Sequence, residues 1–120
     1  MANRIFIGED GFIHHIYEGD QTFENVQKDV DTINALLAQM RKQNLPAKVL
    51  GNFSKIGKAD SGARKAAGEA IKYGDFDKLA LYGKNIFHTV AANLIITATG
   101  QRKRVRVFQT KEKAVEWLKK

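Results

Sequence analysis

The stretch Lys78-Leu-Ala-Leu-Tyr82-Gly83-Lys84-Asn85, followed by the apolar run 86–98, Gly100 and Arg104-Val-Arg-Val-Phe108, decides the fold. Five mostly apolar residues bounded by a glycine read as a strand. Asn85 stands where a helix N-cap belongs. Ile86, Phe87, Val90, Ala91, Leu94, Ile95 and Ala98 then recur at helical spacing, which predicts a helix with those residues inward. Gly100 supplies the left-handed stop, and the segment 104–108 reads as another strand. Parallel strands need a crossover of this kind, so strand, helix and strand in this order predict parallel pairing.

The same alternation extends in both directions. Ala47–Phe53, after Pro46, reads as a strand, and Asp60-Ser61-Gly62 opens an Ala-rich helix over 63–71 whose small residues would let it lie close to a sheet. Nearer the N-terminus, Arg4–Ile7 and Phe12–Tyr17 flank Gly8-Glu9-Asp10-Gly11, which predicts a hairpin. Thr22 then caps a helix whose apolar stripe is Phe23, Val26, Val30, Ile33, Leu37 and Met40. Downstream, Thr110 caps a last helix bearing Ala114, Val115, Trp117 and Leu118. The order ββαβαβαβα implies an α/β fold with a mostly parallel sheet covered by helices. Its 120 residues carry no repeat, linker or low-complexity segment, so 1–120 is expected to be a single domain.

Composition narrows the function classes. The absence of cysteine excludes disulfides, thiolate metal sites and thiol catalysis. No apolar run approaches the roughly 18 residues of a membrane span, and the N-terminus lacks a signal peptide's apolar core, so a cytoplasmic protein is expected. The net charge is +7, but its distribution is uneven: residues 1–40 carry −5, 41–100 carry +6 and 101–120 carry +6. The densest run, Arg102-Lys103-Arg104-Arg106, places Arg104 and Arg106 on one strand face. It lacks the interleaved aromatics used to stack bases, so nucleic-acid binding through Arg102–Arg106 ranks behind a solvated edge or an anionic partner surface.

Catalytic signals are absent from the pattern, and no enzyme is expected. His14 and His15 are neighbours in a strand and point to opposite faces, and His88 sits in a first helical turn, so no metal-ligand spacing arises. Ligands of parallel sheets gather at the carboxyl ends of strands, which selects the segments Ser54–Gly62 and Gly83–Asn85 as loops. Ser54, Lys58, Lys84 and Asn85 are the candidate anion or ligand contacts there. Ser61 sits at a loop-to-helix junction where its hydroxyl could cap the helix. The same position suits phosphorylation, since a phosphate gains from the helix dipole and free N–H groups. Asp60 would oppose the added charge, while Lys58, Arg64 and Lys65 would offset it.

The closing pattern, Leu79-Ala-Leu-Tyr-Gly, a helix ending at Gly100, then Arg104–Thr110 and Ala114…Trp117-Leu118, resembles the STAS family, in particular its SpoIIAA-like, STAS/SEC14-like branch of anti-sigma-factor-antagonist-like prokaryotic domains. Val49-Leu-Gly-Asn-Phe-Ser54 and Ala59-Asp60-Ser61-Gly62 resemble that family's central strand and phosphoacceptor loop. The match is one hydroxyl residue short, so Ser61 stands for the acceptor by position. The resemblance implies a four- or five-stranded mixed sheet with helices mainly on one face, and Trp117 packing the last helix onto it. It also implies a non-enzymatic regulatory module, with no cofactor, that meets a protein partner through Asp60, Ser61, Gly62, Arg64 and Lys65. Such a partner would be an anti-sigma-type kinase or another regulator. Some members bind nucleotides or lipids, so a small anionic or lipid ligand is the alternative it implies.

Overall fold

Gly8–Gly11 turns the chain tightly because Gly11 takes a left-handed conformation, φ 82°, closed by hydrogen bonds from Gly8 N–H to the Phe12 carbonyl (2.9 Å) and from Gly11 N–H to the Gly8 carbonyl (3.0 Å). This turn joins β1 (Arg4–Ile7) to β2 (Ile13–Gln21) in antiparallel register, Ile5 opposite His15. In the computed structural model, which describes residues 3–120, the chain continues through α1 (Phe23–Lys42), β3 (Lys48–Ala59), α2 (Ser61–Tyr73), β4 (Lys78–Tyr82), α3 (Ile86–Ala98), β5 (Val105–Phe108) and α4 (Lys111–Lys119). Met1 and Ala2 lie outside the described residues.

The strands stand side by side in chain order, β1-β2-β3-β4-β5, with β2 through β5 parallel. Crossovers between parallel strands are right-handed, so three successive crossovers moving in one direction put their helices on one face. Accordingly, Leu37 and Met40 of α1, Ile71 of α2 and Ile96 of α3 share a core with Ile13, Val49, Phe53, Leu81 and Val105 of the sheet. The other face carries α4 alone: Ala114 and Leu118 pack on Phe12, Leu50 and Ala80. The element order is the one the residue pattern predicts, and the mixed five-stranded sheet with helices mainly on one face is what the family resemblance implies.

Neighbouring cations hold α4 down. Lys48 and Lys78, opposite one another in β3 and β4, donate to the carbonyls of Leu118 and Trp117 respectively, the second at 3.0 Å. Cations at a helix C-terminus complement its dipole. Trp117 is half-buried against Phe108, with the Lys78 ammonium 4.8 Å above its ring.

Two expectations are corrected. Of the residues assigned inward on α3, Ile86, Phe87, Val90, Ala91, Leu94 and Ala98 are exposed. The inner side is formed by His88, Ala92, Ile95, Ile96 and Thr99. Arg104 and Arg106 also do not share a face. Arg104 precedes β5 and turns beneath α2, where its guanidinium donates to the carbonyls of Ile71, Lys72, Gly74 and Phe76 and to Gln101 Oε1 at 2.6–3.2 Å. Arg106 lies over Trp117 on the α4 side.

Candidate functional site

The segment 54–62 is not a loop. Strand β3 runs to Ala59, beyond the end of β4, and stays paired with β2 through Glu18–Lys55, Gly19–Ile56 and Gln21–Ala59. Gly57 permits this approach: a Cβ there would meet Asp20 Oδ1 at 2.2 Å. The sequence hid the extension because Ser54, Lys55 and Lys58 are exposed on a ribbon with water on one side.

Asp60 alone separates this ribbon from α2. Its carboxylate accepts from Ala63 N–H at 2.7 Å and is the N-cap, which corrects the capping assignment to Ser61. Ser61 is left at the first helical position, exposed, with no side-chain hydrogen bond among the described residues. Arg64 and Lys65 are exposed one turn along, the Arg64 guanidinium donating back to the Ala59 carbonyl. Gly62 instead faces inward: a Cβ there would lie 2.9 Å from Phe23 Cβ, so glycine lets the first turns of α1 and α2 touch. Asp60, Ser61, Arg64 and Lys65 therefore share one solvent-facing helix end, and Gly62 supports it from beneath.

Ser54, Lys84 and Asn85 do come together. They line an open cleft of about 460 Å³ with Tyr82, Thr110, Lys111 and Glu112, between the N-termini of α3 and α4. The Asn85 side-chain oxygen is occupied as the α3 cap, accepting from Phe87 N–H (2.9 Å) and His88 N–H (3.3 Å). Burial, and secondarily the charge of Glu112, push the Tyr82 phenol up. Lys58 is not in the cleft. It lies farther along the β2–β3 ribbon, where its backbone N–H donates to Asp20 Oδ1 at 2.8 Å.

An apolar cavity of about 160 Å³ lies between α2 and α3 above β3, bordered by Phe53, Ile56, Ala63, Ala67, Leu81 and Ile95, none of which the residue pattern singles out as a site. The small side chains of α2 leave space here instead of bringing the helix flush with the sheet. Tyr17 borders both this cavity and a smaller one of about 80 Å³ between α1 and α2. Burial, reinforced by the charge of Asp29, pushes its phenol far above the ordinary range, and the hydroxyl has no hydrogen-bond partner among the described residues. His88 borders the larger cavity with its ring edge-on to Phe53, centroids 6.3 Å apart.

The other two histidines are satisfied structurally on opposite faces, as their adjacency requires. His14 Nε2 lies 2.9 Å from Asp10, and His15 Nε2 lies 2.9 Å from Asp29 on α1. Among the described residues no group of three or more acidic or histidine side chains is placed to hold a metal ion. Burial alone would raise the Asp29 carboxyl. Hydrogen bonds from His15 and Asn3, with the charges of His15 and Lys28, outweigh it and hold the group below its ordinary value. A depressed folded-state value contributes stability that is present above the unfolded carboxylate range, about pH 4, and is lost as the pH falls through the folded value. Asp29→Asn is therefore expected to flatten the acid limb of stability against pH, measured by denaturant unfolding between neutral and acid pH; an unchanged acid limb would remove Asp29 from that role.

A chain-ordered mixed sheet with three helices on one face and one on the other is the SpoIIAA-like α/β fold. Comparison with known proteins agrees at the level of fold. An uncharacterized protein of the DUF3478 family with a SpoIIAA-like fold, from Shewanella loihica PV-4, superposes with a TM-score of 0.70 at 19% identity, over 98% of this chain and 92% of that one. The anti-sigma factor antagonist SpoIIAA in its unphosphorylated form superposes with a TM-score of 0.55 at 13% identity, over 98% of both chains. No family model and no curated protein matches the sequence. No helix among the described residues is long and apolar enough to cross a membrane.

Proposed function

We propose that residues 1–120 act as one non-catalytic regulatory domain that docks a protein partner on the exposed start of α2, with Ser61 as the position at which modification alters docking. One observation carries this reading: Asp60 takes over the capping of α2 and leaves the Ser61 hydroxyl exposed and unpartnered, with Arg64 and Lys65 beside it. A phosphate on Ser61 would meet the helix dipole and those two cations, against the opposing charge of Asp60. The SpoIIAA-like fold, which an anti-sigma factor antagonist shares, supports a regulatory role, and an anti-sigma-type kinase is the partner that reading suggests.

The test is affinity capture from the native cell with wild type, Ser61→Ala and Ser61→Asp, together with intact-mass measurement. A phosphate mass lost in Ser61→Ala, and a partner whose recovery changes at least several-fold in Ser61→Asp, are expected. Identical capture by all three proteins, with no phosphate on the wild type, would overturn the switch.

A second reading, a small amphipathic ligand, is favoured by the apolar cavity with the Tyr17 hydroxyl at its wall, unpartnered among the described residues. Native mass spectrometry of the purified protein would then reveal a co-purifying mass. A clean apo mass with no thermal shift across fatty acids and nucleotides would overturn it. Nucleic acid gains no support, because Arg104 is committed to backbone carbonyls and leaves the Arg102–Arg106 cluster divided between two faces.

A further inference from the structure

We propose that the outward face of α3 docks on an anionic lipid bilayer, lying on its surface and not spanning it. The proposal goes beyond the partner surface at α2 and rests on two independent observations. First, α3 is apolar on both sides. Ile95 and Ile96 face the core, while Phe87 (82% exposed), Ile86 (68%), Leu94 (66%) and Val90 (52%) stand in water. A helix hydrophobic all round is ordinarily covered all round. The outward sides of the other helices carry charge instead, such as Lys28 and Asp31 on α1, Lys65 and Glu69 on α2, and Lys113 and Glu116 on α4.

Second, the chain segments leading into and out of α3 carry charge of one sign, Glu112 standing just beyond them in the cleft beside Lys84. Residues 78–111 hold seven basic side chains and no acidic one, equal to the whole chain's net charge of +7. Three of these, Lys84 just before α3 and Arg102 and Lys103 just after it, are exposed at its two ends. An apolar strip bracketed by cations matches the boundary of an anionic bilayer, where acyl chains take the phenyl and isobutyl groups and phosphate headgroups take the ammonium and guanidinium groups. A second copy of this chain fits poorly: a two-fold contact through α3 would bring two such basic segments together.

The test is co-sedimentation of the full chain with vesicles of phosphatidylglycerol and phosphatidylcholine, against phosphatidylcholine alone, at low and high salt. Wild type should pellet with the anionic vesicles, release as salt rises, and stay in solution with the zwitterionic ones. Phe87→Ser/Leu94→Ser changes two exposed side chains, so its thermal unfolding should stay near wild type while its vesicle affinity falls at least about tenfold. Wild type remaining in solution with anionic vesicles, equal binding to both vesicle types, or unchanged binding by the double variant would each overturn the proposal. So would a concentration-dependent dimer that the double variant abolishes without any vesicle binding, since the face would then belong to a second copy.

Discussion

Arg104→Ala is expected to lower the unfolding free energy by about 3 kcal/mol, read from denaturant midpoints at neutral pH. The guanidinium closes the carboxyl end of α2 in one stroke, bonding the carbonyls of Ile71, Lys72, Gly74 and Phe76 while stacking 4.2 Å over the Phe76 ring. Helix C-termini leave carbonyls without intrahelical partners, and a single planar fork serves several of them here. Truncation strands those acceptors in a half-buried site and removes the cation from the Phe76 face. Arg104→Lys should recover only a fraction of the loss, because an ammonium cannot span the same set of acceptors. A loss below about 1 kcal/mol would mean that water replaces the guanidinium freely, and the structural role assigned to Arg104 would fail.

Leu118→Ala is expected to cost a similar amount, about 3 kcal/mol. The side chain is fully buried between Leu50 and Ala80 on the face that α4 alone covers. A helix of nine residues has little stability of its own in water, so its attachment depends on this contact and on the Lys48 and Lys78 bonds to its last carbonyls. Trp117 lies on the same helix, so its emission should move toward that of a solvated indole before the rest of the chain unfolds. Emission and far-ultraviolet dichroism that change together, with a loss under about 1 kcal/mol, would show that α4 is held by other means.

Much of the architecture was legible because the local signals are strong. Thr22, Asn85 and Thr110 each cap the helix predicted from them, and the Gly8–Gly11 turn forms the expected hairpin. The failures have physical causes. Apolar residues of α3 fall on both its inner and its outer face, so spacing could reveal a helix but not its rotational phase. Leu94 and Ile95 look equivalent in sequence and differ only in what the tertiary fold sets beneath them. Ser54–Ala59 reads as a loop because its strand partner, the end of β2, lies more than thirty residues away and the ribbon is solvated. Arg104 reads as surface charge because its acceptors are main-chain atoms of a distant helix, which no side-chain pattern records. At the candidate site, Ser61 was located by position, yet its freedom depends on Asp60 taking the cap, a choice between two adjacent capping residues that sequence alone leaves open.

The side-by-side strand order also bears on how the chain assembles. No strand has to slip between two others: each is laid against the edge left by its predecessor, with one helix swung over for each of β3, β4 and β5. A polypeptide emerging N-terminus first can therefore build this sheet in the order in which it is synthesised, every intermediate being a smaller sheet that grows at one of its two edges while β1 stays the other. The exception is the face around Leu50 and Ala80, which waits for α4, the last element in chain order. Until then the growing sheet carries a bare apolar side, so the period between the making of β4 and the arrival of α4 is when a nascent chain has most need of a chaperone.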